Sequence, residues 1–334
     1  MYNPLRMQPE ILYLSRADVE SLRLGMEEII ELVADALRER GQGRAEMPPK
    51  PGIHPGPPGN DNFVHAMPAY LPGLPAAGIK WVAGYPRNRD RGLPYISGLL
   101  ILNDPATGLP AAVMDCAWIT AMRTAAATAV ASRHLGPEDP RTLGVLGCGV
   151  QGRTNLEALR IVHPGLRRVQ AFDIRPEQTT AYRKEMGARF PDLELTAAGS
   201  PEAAVRGADI VVTAGPIRKR PEPAIEAEWF GEGALGVALD YDSYWKPDSM
   251  RAADRLVTDD REQLLRTREE GYFADTPAIH ADLGEILAGK KPGRRTRSER
   301  ILCLNLGLAI YDVATGWQLL QLARERGVGT RLPL

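Results

Sequence analysis

The chain has 334 residues, with 41 lysines and arginines set against 42 aspartates and glutamates for a formal net charge of −1. That balance excludes the electrostatic footprint of a nucleic-acid or anionic-membrane binder, and the length implies about two domains with ample material for a core. No apolar run approaches the roughly 18 residues of a membrane helix, and the opening MYNPLRMQPE lacks a signal-peptide core, so a soluble cytoplasmic protein is expected. Cys116, Cys148 and Cys303 are widely spaced and odd in number, and the histidines form no HxxxH pattern, so neither a disulfide framework nor a metal is signalled.

From Ser15 to Arg40, Met26, Ile29, Ile30, Val33 and Leu37 recur at helical spacing, which predicts a helix ended by Gly41 and Gly43. The punctuated segment EMPPKPGIHPGPPGN follows, and then the β-patterned runs FVHAMPAY, AAGIKWVAGY and YISGLLILNDPATGLPAAVMD, the last read as a hairpin through Asn103-Asp104-Pro105 and Gly108. An α+β domain is expected up to about residue 117. In GIKWVAG, Lys80 and Val82 face one way and Ile79 and Trp81 the other. Such a lysine either lies at a sheet edge or reaches into a cleft. His65 shares a strand face with Phe63 and Met67, where a histidine is more often a satisfied core residue than a catalyst.

DCAWITAMRTAAATAVASRHL reads as a closely packed helix with Asp115 or Thr120 available as its cap. Arg123 stands near its start, where a cation opposes the helix dipole unless an anion meets it. The two readings are an anionic ligand, or an arginine that snorkels or pairs with a nearby carboxylate.

Beyond this helix, strands and helices alternate in the manner of a doubly wound parallel sheet. VLGCGVQG holds Gly147, Gly149 and Gly152 in GxGxxG register between an apolar strand and a helix, with Val150 and Gln151 between the glycines. Asp173 ends the next strand, about 20 residues on, where a carboxylate accepts from ribose hydroxyls. Asp173 favours NAD, while Arg175 leaves NADP open. Thr213, at the end of ADIVVTAG, is grouped with the cofactor-binding residues. Asp240 ends the strand ALGVALD, on the side where ligands of open α/β sheets bind. Asp242 follows on the same side if the chain stays extended, or else caps a turn. The last stretch, from Glu299, is apolar at helical spacing and is expected to return to the first domain.

The stretch GIKWVAGYPRNRDRGLPYISGLLILNDPATGLPAAVMDCAWITAMRTAAATAVASRHL resembles the ornithine cyclodeaminase/μ-crystallin family, and VLGCGVQG falls where that family has its dinucleotide loop. AMPAYLPG and DYDSYWKPDS are closer to the branch labelled as the B subunit of tyramine oxidase. The resemblance implies that Lys80 and Arg123 grip a substrate carboxylate and that Lys50 stands near a third basic position. It implies that Asp240 exchanges a proton with the substrate nitrogen while hydride passes between the α-carbon and nicotinamide. It also implies a homodimer built through the first domain. Two positions depart from the family: His65 replaces a glutamate, and Tyr241 to Lys246 replace a proline-glycine-lysine turn, which puts ornithine cyclisation in doubt.

The combined expectation is an α/β chain. Residues 1–117 with 303–334 form an α+β substrate-binding and dimerisation domain, and residues 118–302 form an NAD(P)-binding Rossmann domain. The expected activity is oxidation or reduction of a small α-amino or α-imino acid. Asp240, His65 and Lys80 are the catalytic candidates, Lys80, Arg123 and Lys50 bind substrate, and Trp81 and Tyr244 line its side-chain pocket. A redox-neutral cyclodeaminase and a non-catalytic dinucleotide-binding subunit are the alternatives.

Overall fold

The computed structural model describes residues 9–57 and 59–334, so most of the segment read for an export signal lies outside the described residues. The strands are β1 (Glu10–Leu14), β2 (Gly52–Ile53), β3 (Phe63–Leu71), β4 (Ala76–Gly84), β5 (Ile96–Asn103) and β6 (Pro110–Asp115). They continue as β7 (Thr142–Leu146), β8 (Arg168–Phe172), β9 (Glu194–Ala197), β10 (Ile210–Thr213), β11 (Leu235–Ala238), β12 (Arg255–Thr258), β13 (Ala281–Asp282), β14 (Ile301–Leu304) and β15 (Thr330–Pro333). The helices are α1 (Arg16–Ser21), α2 (Met26–Gly41), α3 (Ala117–Leu135), α4 (Val150–Val162), α5 (Pro176–Arg189), α6 (Pro201–Val205), α7 (Pro247–Arg251), α8 (Arg261–Glu269), α9 (Leu283–Leu287) and α10 (Ala309–Arg326).

Two compact units divide the chain: unit 1 is Met1–Gly25, Arg44–Thr120 and Ala309–Leu334, and unit 2 is Met26–Gly43 and Ala121–Leu308. Unit 1 is a seven-stranded sheet in the order β15-β1-β6-β5-β4-β3-β2. Strand alternation gives it two unlike faces. Met67, Lys80 and Leu100 lie side by side in register, and all are buried. The helix α10 covers β3, β4 and β5, so closely that a methyl at Gly316 would stand 2.2 Å from Leu100. On the other face Tyr13, Trp81 and Leu99 are exposed.

Unit 2 is an all-parallel eight-stranded sheet, β13-β12-β14-β11-β10-β7-β8-β9. Both faces are covered, so its strands read as continuous apolar runs. On β10, Ile210 and Val212 join the core made with Leu156, Leu159, Tyr182 and Met186, whereas Val211 joins the opposite core with Phe230, Trp245 and Leu302. The chain reverses its winding direction between β7 and β10, the crevice position where open α/β sheets take ligands.

Three sequence expectations change. The Ser15–Arg40 segment is two helices, because Arg23 adopts φ 50° and Gly25 follows before α2 begins. The apolar carboxyl-terminal run is first a strand, β14, pairing between β11 and β12, and only then the helix α10; burial on both sheet faces hides strand periodicity. The first long helix, α2, packs on α9 within unit 2, where Gly41 and Gly284 let the two backbones touch. No described helix is long and apolar enough to cross a membrane.

Candidate active site

In unit 2 the three loop glycines have separate physical reasons. Gly147, after β7, has φ 105°, a conformation that disfavours any side chain. A methyl at Gly152 would stand 2.3 Å from the Gly147 carbonyl oxygen, so this glycine lets α4 pack on the loop. Gly149 caps α4, yet its added methyl would meet nothing within 4 Å. Among the described residues no neighbour explains that glycine; its lack of a side chain leaves the α4 amino terminus open to close approach from outside. Asp173 is mostly buried beside the loop, accepting from the Cys148 N–H at 2.9 Å and the Arg175 N–H at 3.0 Å. Val150 and Ile174 are exposed apolar side chains flanking the loop, suited to an adenosine surface.

Asp240 follows β11 and is fully buried. One carboxylate oxygen accepts from the Thr213 hydroxyl at 2.7 Å, the other from the Gly215 N–H at 2.7 Å. Burial pushes its pKa up to about 7, only partly offset by those donors, with Asp242 adding repulsion. Thr213, expected toward the cofactor, thus points its hydroxyl at Asp240, and that hydroxyl also accepts from the Trp245 indole at 3.3 Å. The chain does not stay extended after Asp240. Tyr241 takes φ 62° and the backbone turns, so Asp242 is buried on its own course, held up in pKa by burial. Tyr244 lies against Gly215, where a methyl would come within 2.5 Å of its ring and 3.3 Å of Asp240.

In unit 1, Lys80 is on an interior strand rather than an edge, and is fully buried. Its ammonium donates to Asp312 of α10 at 2.8 Å and to Thr120 at 3.4 Å. His65 stacks on Phe63 with ring centroids 4.5 Å apart. Burial, and then the charges of Lys50, His54 and Lys80, push its pKa down to about 3, so it is a neutral imidazole at ordinary pH. Lys50 is buried as well. Trp81 is half exposed on the face away from Lys80 and is not beside it.

Arg123, in the unit 2 part of α3, is buried, with its guanidinium over Gly307: a methyl there would stand 2.6 Å from Nη1. The Leu306 and Gly307 N–H groups donate to the buried Asp259 carboxylate at 3.0 and 2.8 Å. Asp115 caps α3 through the Ala117 N–H, while Thr120 serves Lys80.

Sequence reasoning missed Asp312, Asp259 and Trp245. Asp312 carried one usable signal, a carboxylate in the middle of the apolar run LAIYDVATG, which needs a buried cation. Among the described residues no cluster of three or more His, Cys, Asp or Glu is disposed to hold a metal, and the three cysteines are free and buried.

The model of the ornithine cyclodeaminase/mu-crystallin family matches residues 10–327. The chain is 37% identical to the nodulation efficiency protein NfeD of Rhizobium meliloti, over 95% of this chain and 97% of that one. It is 35% identical to an alanine dehydrogenase of Archaeoglobus fulgidus, over 97% and 98% respectively. A solved structure of the Delta(1)-pyrroline-2-carboxylate reductase of Thermococcus litoralis, in complex with NADH and L-proline, superposes with a TM-score of 0.86 at 34% identity, covering 96% of this chain and 99% of that one.

Proposed function

The chain belongs to the ornithine cyclodeaminase/mu-crystallin family, and from that premise we propose that it is an NAD(P)-dependent oxidoreductase acting on a small α-amino or α-imino acid, as a ketimine reductase or an amino-acid dehydrogenase. The observation that carries the reading is Asp240: a buried carboxylate with only neutral donors, poised to hold or release a proton near neutral pH, in the same unit as the dinucleotide loop.

Gly147, Gly149, Val150, Gln151 and Gly152 hold the pyrophosphate side of the dinucleotide, and Asp173 the ribose, with Arg175 deciding how well an additional phosphate is tolerated. When bound, the dinucleotide accepts or supplies a hydride at the substrate α-carbon. Asp240 handles the proton: it takes one from the substrate nitrogen as the amine is oxidised, and returns it as the imine is reduced. Lys80 and Arg123 take the substrate carboxylate, with Lys50 as a third basic group. His65, uncharged, accepts or donates a hydrogen bond on the amine side. Tyr244, beside Asp240, lines the substrate pocket.

The same reading assigns the dinucleotide to unit 2 and the dimer contacts to unit 1. The exposed Tyr13, Trp81 and Leu99 on one sheet face supply an apolar surface for a second copy. A cytoplasmic location accompanies it.

The test is nicotinamide absorbance with NAD and NADP separately, against L-alanine and L-proline in one direction and cyclic imino acids in the other. Turnover that depends on one carboxylate-bearing substrate, and whose KM for it rises in Arg123→Leu, supports the reading. Silence with those substrates but ammonia release from an α,ω-diamino acid such as L-ornithine, without net change in nicotinamide absorbance, identifies a redox-neutral cyclodeaminase, and silence without ammonia release a dinucleotide-binding subunit.

A further inference from the structure

The turn that departs from the family pattern, DYDSYWK, brings the Trp245 indole to Thr213. Trp245 is fully buried, and its ring fills the space beside Gly236, where a methyl would come within 2.6 Å of it. An indole N–H is a donor only. Its partner here is the Thr213 hydroxyl oxygen at 3.3 Å, which in turn stands 2.7 Å from Asp240 Oδ1. With the indole proton directed at that oxygen, the hydroxyl proton is turned away from the indole and toward the carboxylate. Oδ2 is held by a backbone N–H, which cannot reverse.

We propose that Trp245 is a positioning residue for proton transfer, locking the Thr213 hydroxyl as a donor to Oδ1 so that Asp240 keeps its exchangeable proton for the substrate and does not turn it inward. This deepens the reading above and rests on it for its catalytic meaning. Chained hydrogen bonds polarise one another, so the indole strengthens the Thr213 donor and favours the carboxylate form. It acts against the desolvation that favours the acid. The other titratable groups facing this cluster are Asp242 and Tyr244 on the same turn, with Asp173, Arg218 and Cys148 around Tyr244.

The chain has five tryptophans, so its indole ¹H–¹⁵N resonances are few enough to assign by substitution. The full chain is titrated by NMR between acid and mildly alkaline pH, and the Trp245 resonance is identified by its loss in Trp245→Phe. The expected result is a single midpoint near neutrality in the wild type, with the movement absent in Asp240→Asn and in Thr213→Val and kept in Thr213→Ser. Where turnover is found, Trp245→Phe raises the pH midpoint of kcat by about half to one unit and Thr213→Val by about one to two, with the KM for dinucleotide unchanged. A Trp245 resonance that is flat with pH, or that still moves in Asp240→Asn, overturns the proposal. The resonance reads the relay without activity, so an inactive wild type counts against the proposed function alone, while a flat resonance in an active enzyme counts against the relay alone.

Discussion

Lys80 in unit 1 and Asp240 in unit 2 are both fully buried ionisable groups, but Lys80 meets an opposite charge at 2.8 Å, whereas the donors to Asp240 are neutral, a hydroxyl and backbone N–H groups. A buried ion pair holds its charges, because neutralising or deleting either partner strands the other in a poor dielectric. A buried carboxylate among neutral donors is left balanced between its two forms. The first arrangement suits presenting a constant charge to a carboxylate, and the second suits passing a proton.

The largest effect expected from breaking that contrast is in activity at Asp240. Asp240→Asn removes the group that holds the proton and is expected to lower kcat by roughly 10²–10⁴ while dinucleotide titration is unchanged. Lys80→Met takes away the ammonium that Asp312 meets at 2.8 Å and is expected to cost about 3–5 kcal/mol in urea unfolding. Arg123→Leu, read as a rise in the substrate KM, is expected to weaken carboxylate binding by about ten- to a hundredfold.

Stability against pH sharpens the comparison further. The folded pKa of Asp240 is raised from 3.8 to about 7, so the folded state binds the extra proton in that window. Its contribution is neutral below the unfolded value, turns unfavourable as pH climbs between the two, and is flat above. Wild type is therefore expected to lose on the order of a few kcal/mol relative to Asp240→Asn between acid and neutral pH, seen as a narrowing or reversal in the Tm difference.

The smallest effect is expected at His65. Its pKa of about 3 leaves no protonation change across the neutral range, so His65→Gln changes turnover modestly and leaves the shape of the pH profile above about pH 5 intact. A limb of the profile that disappears in His65→Gln would contradict the neutral assignment.

The candidate dinucleotide loop was legible before the fold. GxGxxG between strand and helix, with an acid at the end of the next strand, needs only local geometry: Gly147 for its φ, Gly152 for packing and Gly149 for open approach all act within one loop. Alternation along β4 placed Lys80 opposite Trp81 correctly, since a strand has one period. The strand β14 was not legible, because a strand buried on both faces carries no alternation and merges with the helix that follows.

The sequence by itself determined the family and the parallel dinucleotide-binding architecture, and it singled out Asp240, Lys80 and Arg123 as candidates. Only the tertiary structure decided what each of them meets. Asp312 lies 232 residues from Lys80 in sequence, Thr213 27 from Asp240 and Trp245 32 from Thr213. A charge's pKa and its capacity to pair are set by the few ångströms around it, and those neighbours are supplied by chain segments whose meeting no local pattern records.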